Sequence, residues 1–460
     1  MVKKTFITSA VLLLCIGTAT AKDFTVTDFG AKGNGKTYDT GSIQKAIDQC
    51  AATGGGVVRV PSGTYLCGTI VLKSGIDLYL DHGAVIKGST DVTNKAIYPK
   101  RGLIMATEQH DVRILGPGTI DGQSDTPEFN SQGLTNSDGK RPYLVIFDKC
   151  KDVTVRDVHL VNAAFWTLRF YRCDGVLADG ITIDSRHFFN NDGIDIDSRN
   201  VRVSNCNIAS LDDAICMKSD DPEFMPENIV ITNCVVSSTC NPIKFGTASK
   251  AGFRNVTISN CVIRKPVWDG PWDWTDSTKY YRGIPSGTKT GLDGIAIECV
   301  DGGCVEHIIV DNIAMEGIIT PIFLCVNKRK GIGTMRDIRI SNITATANGV
   351  IPCMITGISE SRIQDVVLRD ITVEYEGGEQ AMTTPLPEAE TSYPENRMYG
   401  LYNPACGLFI RHARNILVEN FQIRTRRPDA RPAVVLEDVE DFRGREIRYG
   451  STDITDNISK

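Results

Sequence analysis

A short β-rich run recurs along most of this chain and limits the folds that are open to it. Each run is nine residues long, with Asn, Asp or Gly at a turn and many Val, Ile and Thr residues. The runs are Asp152 to Leu160, Gly175 to Ile183, Asn200 to Ile208, Asn228 to Val236, Asn255 to Ile263, His307 to Met315, Asp337 to Ala345, Asp365 to Val373 and Asn415 to Ile423. A repeat of this kind without helical periodicity predicts a β-solenoid, whose coils bury their apolar faces on one another.

The spacing of the turn residues supports this interpretation. Most successive turns are separated by 23 to 30 residues. The interval from Asn260 to Asn312 is 52 residues and that from Asp370 to Asn420 is 50, and each is interpreted as two coils. Leucine-rich repeats have a similar period, but their L-x-x-L-x-L pattern does not occur here.

The repeat also bears on domain organisation. It continues from about Gly55 to Glu440 without a linker, so residues 22–460 of the 460-residue chain are predicted to form one all-β domain. Upstream of the first coil, Thr40 to Ala52 carries apolar residues at helical spacing, with Asp39 or Thr40 as a suitable N-cap. A short capping helix there would cover the core and backbone edge of the first coil.

Residues 1–21 have the pattern of a targeting segment. Lys3 and Lys4 precede an apolar run, and Ala19-Thr20-Ala21 follows it. This order is typical of a secretory signal, so we expect export to the periplasm or the extracellular space. No other stretch is apolar enough over the length needed to span a membrane. The net charge of −6 gives no basis for nucleic-acid binding, and a monomer is expected.

The cysteines and turn asparagines are predicted to be structural. Fourteen cysteines remain after signal cleavage. Cys206, Cys234 and Cys261 each follow a turn Asn, so they should stack unbridged in the solenoid interior, where free Cys packs as a small hydrophobe. Cys299 and Cys304 are the pair best placed for a disulfide. The turn asparagines are expected to form a ladder of stacked amides.

Two acidic clusters stand out within the repeat, Asn190-Asn191-Asp192-Gly193-Ile194-Asp195 and Asp212-Asp213. Asp192 and Asp212 are 20 residues apart, which would place the clusters on neighbouring coils. Carboxylates this close raise at least one pKa. A protonated carboxyl beside an ionised one can protonate a departing oxygen and activate water, so the clusters indicate glycoside hydrolysis.

Strand alternation predicts the direction of two neighbouring charges. Ile194 and Ile196 must face the core, so Asp195 between them faces outward. The apolar neighbours of Lys218 give it the same direction. Asp195 and Lys218 are therefore predicted to share a groove with the acidic clusters and to contact substrate.

These motifs resemble those of glycoside hydrolase family 28, the polygalacturonase and rhamnogalacturonan hydrolase group. The similarity extends from Phe29–Gly35 through Gly116–Gly122 to the acids, with Asn191 where Thr is usual. It implies a right-handed parallel β-helix and an inverting mechanism in which Asp212 is the general acid. Asp192 and Asp213 would then position and activate the water, with carboxylates roughly 6.5 to 9.5 Å apart.

Departures from the family pattern bear on the substrate. Asn241 stands where polygalacturonases carry the His of Gly-His-Gly, and Ala296-Ile297-Glu298 stands in place of Arg-Ile-Lys. The resemblance therefore implies that two cations that bind galacturonate are missing. Lys218, Lys244 and Arg186 are candidates to replace them, with a uronate at the cleaved sugar and a neutral sugar, such as rhamnose, on the leaving side. This pattern favours a rhamnogalacturonan-type substrate over smooth homogalacturonan.

Two insertions interrupt the coils. The first, about Pro266 to Lys289, contains Trp272 and four other Trp or Tyr residues, which either stack on substrate or form the loop's own core. The second, about Glu374 to Asn403, is predicted to close one end of the groove, which would favour exo action. No cofactor or metal is expected, because the six His residues lack ligand spacing.

Three other functions remain open at this stage. An endo- or exo-polygalacturonase would use the same acids. A calcium-dependent pectate lyase-like enzyme would bind the ion through clustered Asp side chains and release an unsaturated product. A non-catalytic carbohydrate-binding β-helix would carry the acids without using them.

Overall fold

The structure, a computed structural model, describes residues 23–135, 139–267, 288–382, 385–400 and 402–459. The strands of this part of the chain belong to one continuous sheet system and pair in parallel, except for Thr452–Asp453, which is antiparallel to the preceding strand. The predicted right-handed parallel β-helix is confirmed. The predicted signal, residues 1–21, lies outside the described residues.

The strands are short or bend at coil corners, so that one long strand can contribute to two faces of the solenoid. In chain order they are Phe24–Thr25, Asn34–Tyr38, Gly56–Val60, Gly63–Cys67, Ile70–Val71, Ile76–Leu80, Ala84–Gly88, Gly102–Thr107, His110–Leu115, Thr119–Asp121, Tyr143–Asp148, Lys151–Arg156, His159–Val161, Leu168–Asp179, Thr182–Ser185, Ile194–Ser204, Asn207–Ser210, Ile215–Ser219, Glu227–Thr232, Val235–Ser238, Ile243–Ser249, Gly252–Ile263, Gly291–Asp301, Cys304–Gly331, Thr334–Ala347, Cys353–Thr356, Ile363–Gly377, Leu408–Arg427, Val434–Tyr449 and Thr452–Asp453.

Within the described residues, helices are few and short. They are the 3₁₀ helix Val26–Phe29 and the α-helices Thr40–Ala52 and Pro127–Asn130. The helix Thr40–Ala52 is the predicted cap, and its apolar face is fully buried. Asp39 is its N-cap residue, but the Asp39 carboxylate accepts from the backbone N–H groups of Lys32 at 2.7 Å and Gly33 at 3.0 Å instead. None of the described helices has the length and apolarity needed to cross a membrane.

The predicted ladder of turn asparagines is confirmed in part, because Asn260 Nδ2 donates instead to Thr232 Oγ1 at 3.4 Å and Asn342 Nδ2 to Asp311 Oδ1 at 2.8 Å. The turn residues Asn205, Asn233, Asn260 and Asn312 have positive φ between 54° and 57°, a conformation that Asn tolerates better than most residues. Asn312 Nδ2 donates to Asn260 Oδ1 at 2.8 Å, and Asn233 Nδ2 donates to Asn205 Oδ1 at 3.5 Å.

This register corrects the interpretation of the two long intervals. Asn260 and Asn312 lie on adjacent coils, and so do Asp370 and Asn420, whose side chains are hydrogen-bonded at 2.7 Å. Each interval is therefore one coil that carries a long insertion, and the prediction of two coils is wrong. An insertion leaves the stacking register unchanged because it leaves and re-enters the solenoid at one corner.

The cysteines pack as free thiols. Cys206, Cys234 and Cys261 are buried and unbridged, as predicted. The predicted disulfide is wrong, because Cys299 and Cys304 are both free and the Cys299 thiol donates to the carbonyl of Gly303 at 3.1 Å. Strand stacking and core burial hold these coils together, so the fold does not require a covalent link there.

The outer face of one sheet determines where a substrate could bind. Strand register aligns one outward residue from each coil, in the order Ile146, Arg169, Asp195, Cys216, Lys244, Ala296, Phe323, Met354 and Phe409. The column is polar in the middle and apolar toward the C-terminal end. There it forms a second buried cluster with Leu386 and Tyr399 of the second insertion. The insertion thus covers this end of the outer face.

Candidate active site

The two acidic clusters meet at one level of the solenoid. Asp192, Asp213 and Asn241 each lie two residues before an isoleucine, and those isoleucines are paired across three adjacent strands. The backbone N–H of Gly193 donates to the carbonyl of Asp213 at 2.9 Å, which fixes the relative height of the two coils. The structure therefore brings the clusters together as the repeat predicts.

The three candidate catalytic acids are close neighbours. One carboxylate oxygen from each of Asp192, Asp212 and Asp213 lies within 4.8 Å of the others. This approach is shorter than the separation expected from the sequence, so spacing alone does not assign inversion. Asp192 and Asp213 are only 2% and 3% exposed, whereas Asp212 is more accessible. Asp212 is thus the acid best placed to meet a glycosidic oxygen.

Lys218 lies beneath these acids as the centre of a buried ion-pair cluster. Its Nζ is 3.2 Å from Asp192, 3.5 Å from Asp195 and 3.8 Å from Asp213. Burial alone would lower the pKa of Lys218, but Cys216 and the surrounding carboxylates raise it well above its usual value. Lys218 and Asp195 do point away from the core, as predicted, but both are buried, and their predicted contact with substrate stays a prediction.

The neighbouring acids Asp212 and Asp213 have pKa values shifted in opposite directions. Burial, followed by the charge of Asp213, raises the pKa of Asp212. Burial would also raise the pKa of Asp213, but Lys244 and Lys218 and the amide of Asn241, which donates at 2.8 Å, together lower it. A pair of carboxyls separated in this way can act as proton donor and proton acceptor.

Asp192 has a different electrostatic setting. Burial, followed by the charge of Asp195, raises the pKa of Asp192 well above its usual value despite the contact with Lys218. Burial likewise raises the pKa of Asp195 to about 7. Asp192 Oδ1 is buried without a hydrogen-bond partner among the described residues. These features suit Asp192 to orienting a water molecule and Asp213 to accepting its proton.

A cavity of about 270 Å³ opens beside the acids. Its lining includes Asp212, Asp213, Lys244, Glu298, Tyr393 and Arg397. Lys244 Nζ lies 3.5 Å from Asp213 and 3.8 Å from Glu298, so its charge is shared between two carboxylates. Burial raises the pKa of Glu298 to about 7, although Lys244 opposes the shift. Lys244 therefore lines the cavity as predicted, but it is already paired.

Asn241 holds the cavity wall in place. Its Nδ2 donates to Asp213, and its Oδ1 accepts from the backbone N–H of Asp293 at 3.2 Å. Because both ends of the amide are occupied, Asn241 orients Asp213 and the next coil. The predicted contact of Asn241 with substrate remains a proposal.

Arg186 and Trp272 are the two remaining candidates. Arg186 pairs with Asp184 two residues away, with Nη2 2.7 Å from Oδ2, and it is not part of the cavity lining. Its predicted contact with substrate stays a prediction. Trp272 lies outside the described residues, as do residues 268–287 of the first insertion.

An aromatic surface on the N-terminal side of the acids was missed by the sequence reasoning. We call Tyr143, Phe165 and Trp166 the aromatic platform. Trp166 lies at the level of Asp192 one coil earlier, and Lys218 Nζ is 4.9 Å from its ring centroid. The Arg101 guanidinium is 4.2 Å from the ring centroid of Phe165. Aligning the strands would have found Trp166, because it stands two residues before the aligned Leu168.

Two sets of side chains have donor atoms close enough to hold a metal ion, Asp192 with Asp195 and Cys216, and Asp192 with Asp212 and Asp213. The ammonium of Lys218 lies within 3.8 Å of three of these carboxylates and already supplies positive charge. The positive charge of Lys218 would repel a divalent cation at this distance. The site therefore favours metal-free chemistry.

Comparison with known proteins identifies related chains. The sequence profile of glycosyl hydrolases family 28 matches residues 50–266. A probable polygalacturonase of Vitis vinifera is 30% identical over 272 residues, which is 53% of this chain and 55% of that protein. The chain thus spans about half the length of the grapevine relative. An exopolygalacturonase of Zea mays is 25% identical over 77% of this chain and 84% of its own.

A solved structure shows the same fold. An exopolygalacturonase from Thermotoga maritima superposes with a TM-score of 0.63 at 22% identity, over 77% of this chain and 87% of that one. At this level of identity, the similarity supports a shared fold alone. The matched profile includes both acidic clusters and Asn241, so the sequence relationship covers the acids around which the cavity is built.

Proposed function

We propose that this chain, whose residues 50–266 match the profile of glycosyl hydrolases family 28, is a glycoside hydrolase of that family that cleaves α-glycosidic bonds of pectic polysaccharide or oligosaccharide with inversion. The observation that carries this proposal is the opposite pKa shift of the adjacent acids Asp212 and Asp213 at one cavity. The exported location predicted from residues 1–21 is part of the proposal.

The three acids divide the chemistry between them. Asp212, whose pKa is raised by burial, donates its proton to the departing glycosidic oxygen. Asp213, held ionised by Lys244, Lys218 and Asn241, accepts a proton from water as the water attacks the anomeric carbon. Asp192 orients that water. One glycosidic C–O bond breaks, and water supplies the new hydroxyl without a covalent intermediate.

The substrate class is proposed from the charges around the cavity. Asn241 and Glu298 stand where the family resemblance implies cations for galacturonate, and Lys244 is shared between Asp213 and Glu298. A carboxylate at every sugar would need a cation in this cavity, where Lys244 is already paired with Asp213 and Glu298. A polymer that alternates neutral and acidic sugars, of rhamnogalacturonan type, does not require that cation at every sugar. Homogalacturonan is the second candidate, because relatives are named polygalacturonases.

A substrate panel tests the proposal. Reducing-sugar release should be fastest on rhamnogalacturonan or its oligosaccharides, unchanged by chelator, and without ultraviolet absorbance from an unsaturated product. Faster release from homogalacturonan would reject the substrate class. A chelator-sensitive unsaturated product would indicate a lyase, and glycan binding without release of reducing ends would indicate a non-catalytic β-helix.

A further inference from the structure

A short part of the second insertion forms one wall of the cavity. We call residues Tyr393–Arg397 the wall segment, of which Tyr393, Glu395 and Arg397 line the cavity. Between them, Asn396 is fully buried and its Nδ2 donates to Asp293 Oδ1 at 2.6 Å. The same amide donates to Thr320 Oγ1 at 3.0 Å. The wall segment is therefore anchored to two coils of the solenoid.

A second anchor fixes the rim. The Thr247 hydroxyl donates to the phenolic oxygen of Tyr393 at 3.0 Å. The Tyr393 side chain is nevertheless 53% exposed, so its ring remains available to another molecule. Its centroid lies 6.0 Å from Lys244 Nζ, beside the acids. An exposed aromatic ring of this kind suits the apolar face of a sugar.

The groove cannot continue past the wall segment on the C-terminal side. There the outward column changes to Ala296, Phe323 and Met354, all fully buried. Leu386 and Tyr399 of the same insertion pack against them. Among the described residues, the open direction for a sugar chain beside Asp212 is therefore toward the N-terminal coils, where the aromatic platform lies.

The closed end is rich in carboxyl groups. Asp293, Glu298 and Glu395 line it, and its cations are each paired with a carboxylate, Lys244 with Asp213 and Glu298, and Arg397 with Glu395. Glu298 Oε2 is buried without a hydrogen-bond partner among the described residues. The hydroxyls of a neutral sugar can donate to such oxygens, whereas a uronate carboxylate would find the lining cations Lys244 and Arg397 already paired.

We propose that the wall segment turns the cavity into a blind pocket for one terminal, uncharged sugar, so that each cleavage releases a single neutral monosaccharide from a chain end. This inference rests on the proposed hydrolysis at Asp212 and Asp213 and adds the position and charge of the released sugar. The adjoining sugar, which is free to carry a carboxylate, lies on the open side near the aromatic platform.

Product analysis tests the inference with the wild-type enzyme. Oligosaccharides of alternating neutral and acidic sugars are prepared with either a neutral or an acidic sugar at each end of the chain. Early products are separated by anion-exchange chromatography. The first product should be a neutral monosaccharide. Substrates whose accessible end is a uronate should have kcat/KM lower by about 10²-fold or more, because the uronate carboxylate would enter the pocket without a cation of its own.

Each other outcome has a defined meaning. Internal fragments among the first products, or release of a free uronate, would overturn the blind neutral pocket and leave hydrolysis at the acids intact. If none of the oligosaccharides is hydrolysed, the proposed function is overturned, and the inference with it. The two failures are thus distinguishable from one product profile.

A single variant probes the pocket itself. Tyr393→Ala should raise KM about 2- to 10-fold with little change in kcat, because it removes a stacking surface rather than a reacting group. Tyr402→Ala is the matched control, since Tyr402 belongs to the same stretch of chain, is equally exposed at 53% and does not line the cavity. An unchanged KM for Tyr393→Ala, or equal effects of both variants, would contradict the stacking role.

Discussion

Replacing Asp212 by Asn is expected to lower kcat by about 10²- to 10⁴-fold, the usual contribution of general acid catalysis. The amide introduced by the substitution would keep the shape of the side chain but could not supply a proton to the departing oxygen. KM should change little, because Asp212 is not proposed to hold the substrate. Initial rates on the preferred oligosaccharide over a range of concentrations measure both constants.

The leaving group distinguishes the acid from the base. A dinitrophenyl glycoside of the released sugar needs little protonation, so D212N should recover most of its activity on it, while D213N should not. Asp157→Asn is the matched control, because Asp157 is an exposed turn residue with φ of 63°, a conformation that Asn also adopts. Equal loss on both kinds of substrate would contradict the role of Asp212.

Replacing Lys218 by Met is expected to destabilise the protein by about 3 to 5 kcal/mol, because it leaves buried carboxylates without their shared cation. Lys218 is 10% exposed at the side chain and contacts Asp192, Asp195 and Asp213. Urea unfolding followed by circular dichroism measures the change in the free energy of unfolding. Lys250→Met is the control, because Lys250 is exposed. An equal effect of the two substitutions would contradict the buried ion-pair cluster.

The destabilisation by Lys218→Met should depend on pH. Burial raises the pKa of Asp195 to about 7 in the folded protein, above the unfolded value of about 3.9. The folded protein therefore favours protonated Asp195, and the contribution of this group to the free energy of unfolding is lost as pH rises from about 4 to 7. Without Lys218, ionisation of Asp195 in the folded protein costs more free energy. Lys218→Met should therefore lower the free energy of unfolding more at pH 8 than at pH 5. A smaller effect at pH 8 would contradict this electrostatic account.

Much of the fold could be predicted because the repeat is local. Each run carries its own turn residue and core alternation, and stacking of equal coils follows from burying those apolar faces. The intervals at Asn260 to Asn312 and Asp370 to Asn420 lead to a wrong prediction because sequence distance alone does not distinguish an extra coil from an insertion. Only the pairing of the turn residues across the interval settles that question.

The site was predictable where it depends on strand parity and less so elsewhere. The outward direction of Lys218 follows from its strand, but its burial depends on neighbouring coils and loops that cover the outer face. Asp293 occupies the same level as Asp213 and Asn241, so register would have revealed it. Tyr393 belongs to an insertion far along the chain, and no spacing in the sequence connects it to the acids.

The most direct test of the central claim, that Asp213 activates water for single-step displacement, is the anomer first released. Proton NMR in the first minutes of hydrolysis, before mutarotation, identifies it from an α-linked oligosaccharide. Inversion predicts that the β anomer appears first and the α anomer accumulates later by mutarotation. Initial release of the α anomer would show retention through a covalent intermediate and contradict the proposed roles of Asp192, Asp212 and Asp213.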